Sequence, residues 1–359
     1  MSDAYAAAGV DTHRADRGVA ALVDVLRTID TGSPSRVVPL PGHYASVIRL
    51  TPDLGVALAT DSVGSKVIVA EQVQRFSTIG IDCVAMNVND LVCVGAQPVA
   101  VLDYLAVERA DPAMLVALGE GLKRGAELAG VEIPGGEVCQ LPEVLRGHPS
   151  PYGFDLVGSA IGTVALDAIV DGSAITPGDA IIGLPASGVH ANGLTLARSA
   201  LLEHGGLRLD ATPPELGGQT VADALLEPTA IYVRAILELL ADDAVEVHGL
   251  AHITGGGLTN LLRLSPAVGF EISNPLTVPA IYGLIAERGR VEPAEMWEVF
   301  NMGCGFCAIV AQADADAAVA LLRARHPGAT AIGRVTDRAS QVSVPPLDVV
   351  GDADGLRAG

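Results

Sequence analysis

Three carboxylate side chains stand where structural roles explain them poorly. Asp61 follows an apolar run and opens a turn of small residues, Asp90 interrupts an apolar helical pattern, and Glu137 follows a Pro-Gly-Gly turn. Hard divalent cations prefer carboxylate oxygens, and Mg²⁺ typically joins one or two carboxylates to the phosphates of a substrate. The three residues therefore predict a magnesium-dependent phosphate site.

Each carboxylate also has a structural interpretation. An aspartate at the end of a strand is often a turn former or a helix cap, which would account for Asp61. A buried carboxylate without a partner is costly, so Asp90 is harder to explain in this way. The sequence around Glu137 favours neither interpretation.

Two glycine-bearing loops could bind a phosphate through their backbone N–H groups. Residues 187–193 precede a helical pattern, and residues 252–257 follow a strand pattern. Ordinary capped loops are commoner, and neither loop has the spacing of a Walker or dinucleotide-binding motif.

Cys304 and Cys307 form a lone Cys-x-x-Cys pair. A tetrahedral zinc site needs two more ligands, and the other cysteines form no second pair. A redox pair is one interpretation, and a buried strand that uses both cysteines as small apolar residues is the favoured one.

The carboxylates and loops must be positioned by strands that alternate with helices, and this alternation predicts an α/β fold. Before residue 168 we expect helices 14–29, 66–74, 79–94 and 111–128, a hairpin of strands 47–50 and 55–60, and strands 100–107 and 154–164. Two turn clusters between residues 168 and 179 mark a domain boundary. Beyond it we expect strands 180–185, 248–253 and 306–310 and helices 193–202, 225–240, 292–300 and 313–325.

The composition limits the class of partner. The chain has 359 residues, half of them apolar, and a formal net charge of −20. An acidic surface repels phosphate backbones, which excludes a nucleic-acid footprint. No apolar stretch reaches the roughly 20 residues of a membrane span, and the N-terminal residues carry charges in place of a signal-peptide pattern. We therefore expect a cytoplasmic protein with no membrane partner.

Several short segments occur in the order that they have in one known family. They are residues 60–66, 80–92, 95–104, 135–137, 187–193, 226–233, 251–257 and 300–303. Together they resemble aminoimidazole ribonucleotide synthetase, also called phosphoribosylformylglycinamidine cyclo-ligase. Residues 41–46 and 137–142 are similar to an archaeal-type branch of that family.

The resemblance implies a two-domain synthetase fold of the α/β (α+β) class. Residues 1–170 would form an N-terminal domain that binds ATP and metal, and its sheet would close a barrel across a homodimer. Residues 171–344 would form a C-terminal α/β domain, and residues 345–359 a flexible tail. The implied reaction is ATP-dependent ring closure of formylglycinamidine ribonucleotide to 5-aminoimidazole ribonucleotide, with release of ADP and phosphate.

The resemblance also implies a role for each matching residue. Asp61, Asp90 and Glu137 would hold Mg²⁺, and ATP would also contact Gly64, Ser65, Lys66, Asn89, Asp103, Gly135 and Gly136. The substrate would contact Ser187, Gly188, His190, Asn192, Thr254, Gly255 and Gly256, while Lys66, His190 and His252 would take part in catalysis. His252 has a second interpretation as a core histidine whose ring is satisfied.

One departure from the family pattern affects the phosphate turn. Ser62 stands where the family usually has glycine, and a side chain there is costly if the turn needs a positive φ. Two other interpretations stay open, and Ser62 is the motive for the second of them. The chain could be a relative that acts on another acceptor, from the superfamily of selenophosphate synthetase, thiamine-phosphate kinase and a hydrogenase-maturation protein, or a catalytically silent paralogue that binds nucleotide.

Overall fold

The computed structural model describes residues 4, 8–9 and 12–359, and two sheets divide this part of the chain. The first sheet contains β1 (Val37–Val38), β2 (Ser46–Arg49), β3 (Leu54–Ser62), β4 (Gln97–Val107), β5 (Gly136–Gln140) and β6 (Phe154–Ala165). Its order is β1-β2-β3-β6-β4-β5, and only the β4–β5 pair is parallel.

The second sheet contains β7 (Ala180–Pro185), β8 (Val247–His252), β9 (Gly269–Glu271), β10 (Cys304–Val310), β11 (Thr330–Thr336), β12 (Val342–Val344), β13 (Val349–Asp352) and β14 (Gly355–Ala358). Its order is β14-β13-β12-β9-β11-β7-β10-β8. The predicted boundary at residues 170 and 171 therefore falls between the last strand of one sheet and the first strand of the other.

The described helices are α1 (Thr12–Leu26), α2 (Lys66–Val73), α3 (Ile79–Cys93), α4 (Pro112–Ala129), α5 (Leu194–Arg198), α6 (Val221–Leu226), α7 (Val233–Leu240), α8 (Ala280–Gly289), α9 (Pro293–Val299) and α10 (Ala315–Arg323). A π turn, Ser199–His204, continues α5. Among the described residues, no helix is long and apolar enough to cross a membrane.

One face of the first sheet is covered by α3, and α4 packs on α3. Their backbones approach closely because two glycines face each other at the crossing. A Cβ at Gly80 would lie 2.1 Å from the Leu122 nitrogen, and a Cβ at Gly121 would lie 2.3 Å from the Ser77 oxygen. This close packing places the polar residues of α3 next to the end of β3.

The other face of the first sheet is apolar, and none of the described residues covers it. Ile48, Leu58, Leu102, Tyr104 and Ile161 lie on it and are each between 36% and 50% exposed. Leu58 and Ile161 are direct partners across β3 and β6, so the exposed side chains form one continuous surface. We call it the open sheet face.

The second sheet is built differently, because its central strands are covered on both faces. β10 lies between β7 and β8, and all seven of its residues are buried. Continuous apolar runs such as these are typical of strands packed on both sides.

Most of the expected elements are present within a few residues of the expected bounds, with two differences. The expected helix 225–240 is wrong: α6 ends at Leu226 and α7 begins at Val233, because Pro228 has no N–H to donate within a helix. Residues 345–359, expected as a loose tail, form a 3-10 turn and the β13–β14 hairpin, which pairs with β12.

Candidate active site

Two acidic residues of the first half meet a histidine of the second half. Asp61 lies near the end of β3, Asp90 lies on α3, and His252 is the last residue of β8. The Nδ1 atom of His252 is 2.9 Å from Oδ1 of Asp90. The boundary between the two halves therefore brings together three residues that the sequence predicted for one site.

The two carboxylates are close enough to influence each other. Burial raises the pKa of Asp61, and the negative charge of Asp90 raises it further. The Ser62 N–H, which donates to Oδ1 of Asp61 over 2.7 Å, and the nearby His252 act in the opposite direction on that pKa. Two carboxylates that repel each other in a half-buried position are a suitable place for a cation.

His252 is fully buried, and both of its ring nitrogens have partners. Nδ1 lies beside Asp90, and Nε2 is 3.4 Å from Nδ2 of Asn89. Asn89 is also buried, and it joins the backbone of the second half: Nδ2 donates to the Ala230 oxygen and Oδ1 accepts from the Tyr232 N–H. The satisfied ring matches the second interpretation of His252, and its contact orients Asp90.

His190 is a buried histidine with one unpaired nitrogen. Nε2 accepts from the Ser187 N–H over 3.2 Å and from the Ala230 N–H over 3.5 Å. Nδ1 has no partner among the described residues. Burial lowers the pKa of His190 well below its usual value, and the nearby His252 and Lys66 lower it further. The ring is therefore neutral, and it carries its proton on Nδ1.

Lys66 does not contact the Asp61 and Asp90 carboxylates. Its side chain is fully buried, and Nζ donates to Oδ1 of Asp82 over 2.9 Å and to the Glu227 oxygen over 2.6 Å. Burial lowers the pKa of Lys66, and the Asp82 carboxylate opposes that shift. Lys66 thus binds residues on both sides of the boundary between the halves. The family resemblance had implied a contact with a phosphate.

The third predicted metal ligand lies apart from the other two. Glu137 is exposed on β5, where its Oε1 accepts from the Cys139 thiol over 3.8 Å. None of the contacts in the described residues joins Glu137 to Asp61 or Asp90. Consistently, the described residues contain no group of three or more His, Cys, Asp or Glu side chains arranged to hold a metal ion.

Asp103 lies beside the glycine pair that precedes Glu137. In the β4–β5 register Asp103 is opposite Gly136, and a Cβ at Gly136 would lie 2.2 Å from Oδ1 of Asp103. Only glycine can occupy this position without displacing the carboxylate, whereas a Cβ at Gly135 would meet nothing within 4 Å. Burial also raises the pKa of Asp103.

The phosphate turn after β3 adopts the backbone that its glycine predicts. Gly64 has a φ of +64°, whereas Ser62 ends β3 and is not among the residues with positive φ. Ser62 therefore carries no backbone strain. Oγ of Ser65 is 2.8 Å from Oγ1 of Thr195, so the turn also touches α5 of the second half.

The loop of residues 187–193 is fixed by both halves of the protein. Ser187 Oγ donates to the Pro228 oxygen over 2.6 Å, and the Gly188 oxygen accepts from the hydroxyl of Tyr282. Nδ2 of Asn192 is 3.8 Å from the sulfur of Met86, which lies one helical turn before Asp90. Asn192 therefore faces the helix that carries Asp90.

The loop after His252 is adjacent to Asn192. A Cβ at Gly255 would lie 3.3 Å from Oδ1 of Asn192, and Gly256 has a φ of +120°. The N–H of Thr254 donates to Oδ1 of Asn260 over 2.7 Å. Both loops predicted for the substrate therefore lie beside each other at the same boundary.

Sequence reasoning missed the role of His43 and Tyr44. The Tyr44 hydroxyl donates to the Asn260 oxygen over 2.9 Å, and the guanidinium of Arg263 lies 4.7 Å from the centre of the Tyr44 ring. Nε2 of His43 is buried without a partner among the described residues, and burial with the nearby Arg263 lowers the pKa of His43 to about 4. The only signal in the sequence was that residues 41–46 depart from the glycine-rich segment that is common in the family.

Comparison with known proteins defines the class to which this fold belongs. Residues 42–164 match the family described as AIR synthase related protein, N-terminal domain, and residues 176–344 match its C-terminal domain. The chain belongs to the AIR synthase related family.

Two similar proteins of this family carry the same name. The chain is 46% identical to phosphoribosylformylglycinamidine cyclo-ligase of Methanothermobacter thermautotrophicus over 95% of this chain and 96% of the relative. It is 45% identical to the cyclo-ligase of Thermococcus kodakarensis over 92% of this chain and 95% of that relative. The archaeal-type branch that the sequence resembles is thereby confirmed.

Solved structures confirm the two-domain fold. Hydrogenase maturation protein HypE in complex with ATP matches with a TM-score of 0.58 at 22% identity and 86% coverage of both chains. AaThiL complexed with AMPPCP and TMP matches with a TM-score of 0.57 at 18% identity, over 86% of this chain and 89% of that one. T. maritima PurL complexed with FGAR matches at 0.59 and 20% identity, over 90% of this chain and 47% of that one. At these identities the likeness concerns the fold alone.

Proposed function

We propose that this protein is an ATP-dependent cyclo-ligase that converts formylglycinamidine ribonucleotide to 5-aminoimidazole ribonucleotide, with ADP and phosphate as the other products. The observation that carries the proposal is the pair of close carboxylates, Asp61 and Asp90, at the boundary between the two halves. The names of relatives that are 40–46% identical over nearly the whole chain support the same reaction.

The chemistry explains why the reaction uses ATP. The formyl oxygen of the substrate is a poor leaving group. Its attack on the γ-phosphorus of ATP forms an O–P bond and releases ADP, after which a substrate nitrogen attacks the activated carbon and closes the five-membered ring. The C–O bond breaks, phosphate leaves and the nitrogen loses a proton. The protein must therefore align two ligands and neutralise the charge that develops on the phosphates.

The donor set at Asp61 and Asp90 suits Mg²⁺. Each carboxylate uses Oδ1 in a hydrogen bond, and Oδ2 has no hydrogen-bond partner among the described residues. Mg²⁺ usually takes one or two carboxylates and completes its octahedron with water and phosphate oxygens, so two carboxylates are enough. When bound, the ion would neutralise the phosphate charge. His252 would hold Asp90 in the required orientation.

The remaining predicted residues divide between the two ligands. We propose that the turn with Gly64 and Ser65, together with Asp103 and Glu137, faces the nucleotide. Asn192 and residues 254–256 face the other substrate, since they lie together across the boundary from α3. His190 would donate from Nδ1, the nitrogen that lacks a partner among the described residues.

The test of this function follows both products in one assay. Purified protein is incubated with Mg²⁺, ATP and formylglycinamidine ribonucleotide, and ADP and aminoimidazole ribonucleotide are measured together. We expect equal amounts of the two products and no turnover with EDTA. Release of ADP only with another acceptor, such as thiamine phosphate, would contradict the proposal in favour of another superfamily activity. ATP binding without any turnover would identify a silent paralogue.

We also propose that the protein is a cytoplasmic homodimer whose subunits meet at the open sheet face, which would close the barrel that the family resemblance implies. Contiguous apolar surface of this kind marks an interaction site. Leu102→Glu should place a charge at its centre and give a monomer in light scattering after size-exclusion chromatography. Val116→Glu is the matched control, because Val116 is an exposed apolar residue of α4. A Leu102→Glu variant that stays dimeric would place the interface elsewhere.

A further inference from the structure

A short segment of the second half crosses to the first half beside the candidate site. It consists of residues 227–232 between α6 and α7, and we call it the crossing segment. Two groups of hydrogen bonds hold it, one towards each end, and between them the Pro228 oxygen accepts from Oγ of Ser187. The first group is made by a buried ion pair, and the second reaches residues of the candidate site.

The first group centres on Lys66 and Asp82. The Lys66 ammonium donates to Asp82 and to the Glu227 oxygen, as described above. Oδ1 of Asp82 also accepts from the N–H of Thr229 over 2.8 Å and from its hydroxyl over 2.6 Å. All three side chains are at most 2% exposed. The ion pair therefore binds the crossing segment through both a carbonyl and an amide.

The second group connects the crossing segment to the site. The Ala230 N–H donates to Nε2 of His190, and the Ala230 oxygen accepts from Nδ2 of Asn89 over 2.9 Å. The Tyr232 N–H donates to Oδ1 of the same asparagine over 3.0 Å. Asn89 precedes Asp90 in the chain and lies beside Nε2 of His252. A shift of the crossing segment would therefore move both histidines.

We propose that Lys66 and Asp82 are positioning residues that fix the crossing segment and, through it, the orientation of His190, His252 and Asp90. This proposal rests on the proposed cyclo-ligase function. It assigns to the lysine a role different from the phosphate contact that the family resemblance implies. In this desolvated ion pair, Oδ1 of Asp82 and the Lys66 ammonium each also bind a backbone group, which makes the pair a rigid anchor. A displacement of about 1 Å at reacting groups can lower a rate about 100-fold.

The cleanest test removes one hydroxyl and leaves the ion pair intact. Thr229→Val deletes the hydroxyl donor to Asp82, Thr229→Ser keeps it, and Thr176→Val is the matched control, because the Thr176 hydroxyl donates to Asp179 within the second half. We expect Thr229→Val to lower kcat about tenfold or more, with the Kd of ATP in calorimetry changed less than about twofold. Thr229→Ser and Thr176→Val should keep kcat near the wild-type value.

Hydrogen exchange supplies a readout that does not depend on the substrate. In the ligand-free protein, Thr229→Val should speed exchange at the amides of Ala230 and Tyr232, and Thr176→Val should not. Lys66→Met should reproduce both effects if it folds. If the wild type makes no aminoimidazole ribonucleotide, the proposed function fails, and the exchange result alone decides the positioning proposal.

Two results would overturn the positioning role. One is a Thr229→Val protein with unchanged kcat and unchanged exchange. The other is a Lys66→Met protein that binds ATP about tenfold more weakly while Thr229→Val behaves as wild type, because that pair of results places the ammonium at the phosphates.

Discussion

The two ends of the boundary between the halves hold carboxylates in opposite ways. At one end Asp82 is fully buried, and the chain itself supplies Lys66 and Thr229 to compensate its charge. At the other end Asp61 and Asp90 lie close together, and no lysine or arginine of the described residues forms an ion pair with either. In the first arrangement the chain supplies the opposite charge, although Oδ2 of Asp82 has no hydrogen-bond partner among the described residues. The second calls for a cation from outside, which is the difference between a structural anchor and a site.

The largest effect on activity should come from the end of the boundary that holds Asp61 and Asp90. Asp90→Asn removes one charge from the proposed metal site, and we expect activity to fall by about 100-fold or more. The midpoint of thermal unfolding should stay close to the wild-type value, because the asparagine oxygen can keep the contact with Nδ1 of His252 and the repulsion from Asp61 is removed. Asp82→Asn is the control from the other end, where Lys66 pairs with Asp82, and it should lower the midpoint of thermal unfolding clearly. Near-normal activity of Asp90→Asn would remove Asp90 from the metal site.

The largest effect on stability should come from the ion pair of Lys66 and Asp82. Lys66→Met leaves Asp82 buried without its ion partner, and the loss of one partner from a buried pair costs about 3–5 kcal/mol. Replacing both charges, in Lys66→Met with Asp82→Leu, should recover much of that loss in chemical denaturation. A double variant that is no more stable than Lys66→Met would show that the backbone bonds of Asp82 matter more than its charge.

The stability of the ligand-free protein should depend on pH through Asp61. The folded protein retains the Asp61 proton to a higher pH than the unfolded chain, whose pKa is near 3.8, so the folded state binds more protons between the two pKa values. This residue therefore makes stability fall as pH rises through that window. Asp61→Asn should unfold at a higher temperature than wild type above the window, with the difference vanishing below it. An equal difference at all pH values would contradict the raised pKa.

A smaller effect is expected at the residue that sequence reasoning missed. Tyr44→Phe removes the hydroxyl that donates to the Asn260 oxygen, at a cost of about 1 kcal/mol in unfolding free energy. Because Asn260 also holds Thr254, KM for the ribonucleotide should rise more than kcat falls. An unchanged KM would separate Tyr44 from the substrate loop.

The smallest effect is expected at the two cysteines of β10, the strand that pairs with β8. The sulfurs of Cys304 and Cys307 are 3.5 Å apart in a fully buried strand, and both cysteines are free. Replacing both by alanine should leave activity within about twofold and cost on the order of 1 kcal/mol of stability through small cavities. A large loss of activity in a protein of normal stability would restore a redox or metal role for the pair.

The sequence indicated candidate site residues but not the contacts that these residues make. Residue type and context pointed to Asp61 and Asp90, because polar groups in apolar patterns and in turns of small residues are local signals, whereas the role of His252 was implied only by the family resemblance. The partners of Lys66 lie 16 and 161 residues away in the chain, so no local pattern showed that its charge is already compensated. The position of Glu137 is likewise set by the parallel β4–β5 pairing, which a single sequence does not reveal.

Prediction of the fold from the sequence was also less accurate at the ends of helices and strands and beyond residue 260. Strong periodicity gave α3, α4 and β7 within a few residues. The strand β9, of three residues, is too short to carry an alternating pattern, and the β13–β14 hairpin is rich in glycine and aspartate, which favours the interpretation as a tail. Pairing with β12, which itself pairs with the distant strand β9, makes strands of these residues.

The strand order of the two sheets also bears on synthesis at the ribosome. The strands of the first sheet have all been made once residue 165 emerges, and its longest pairing joins Leu54 to Ala165. In the second sheet β7, made first, lies between β10 and β11, whose residues appear more than a hundred positions later. Sheets with such distant pairings fold slowly. The apolar strand β7 therefore emerges long before its neighbours, and the nascent chain must keep it from associating with other chains until residue 336 has been added.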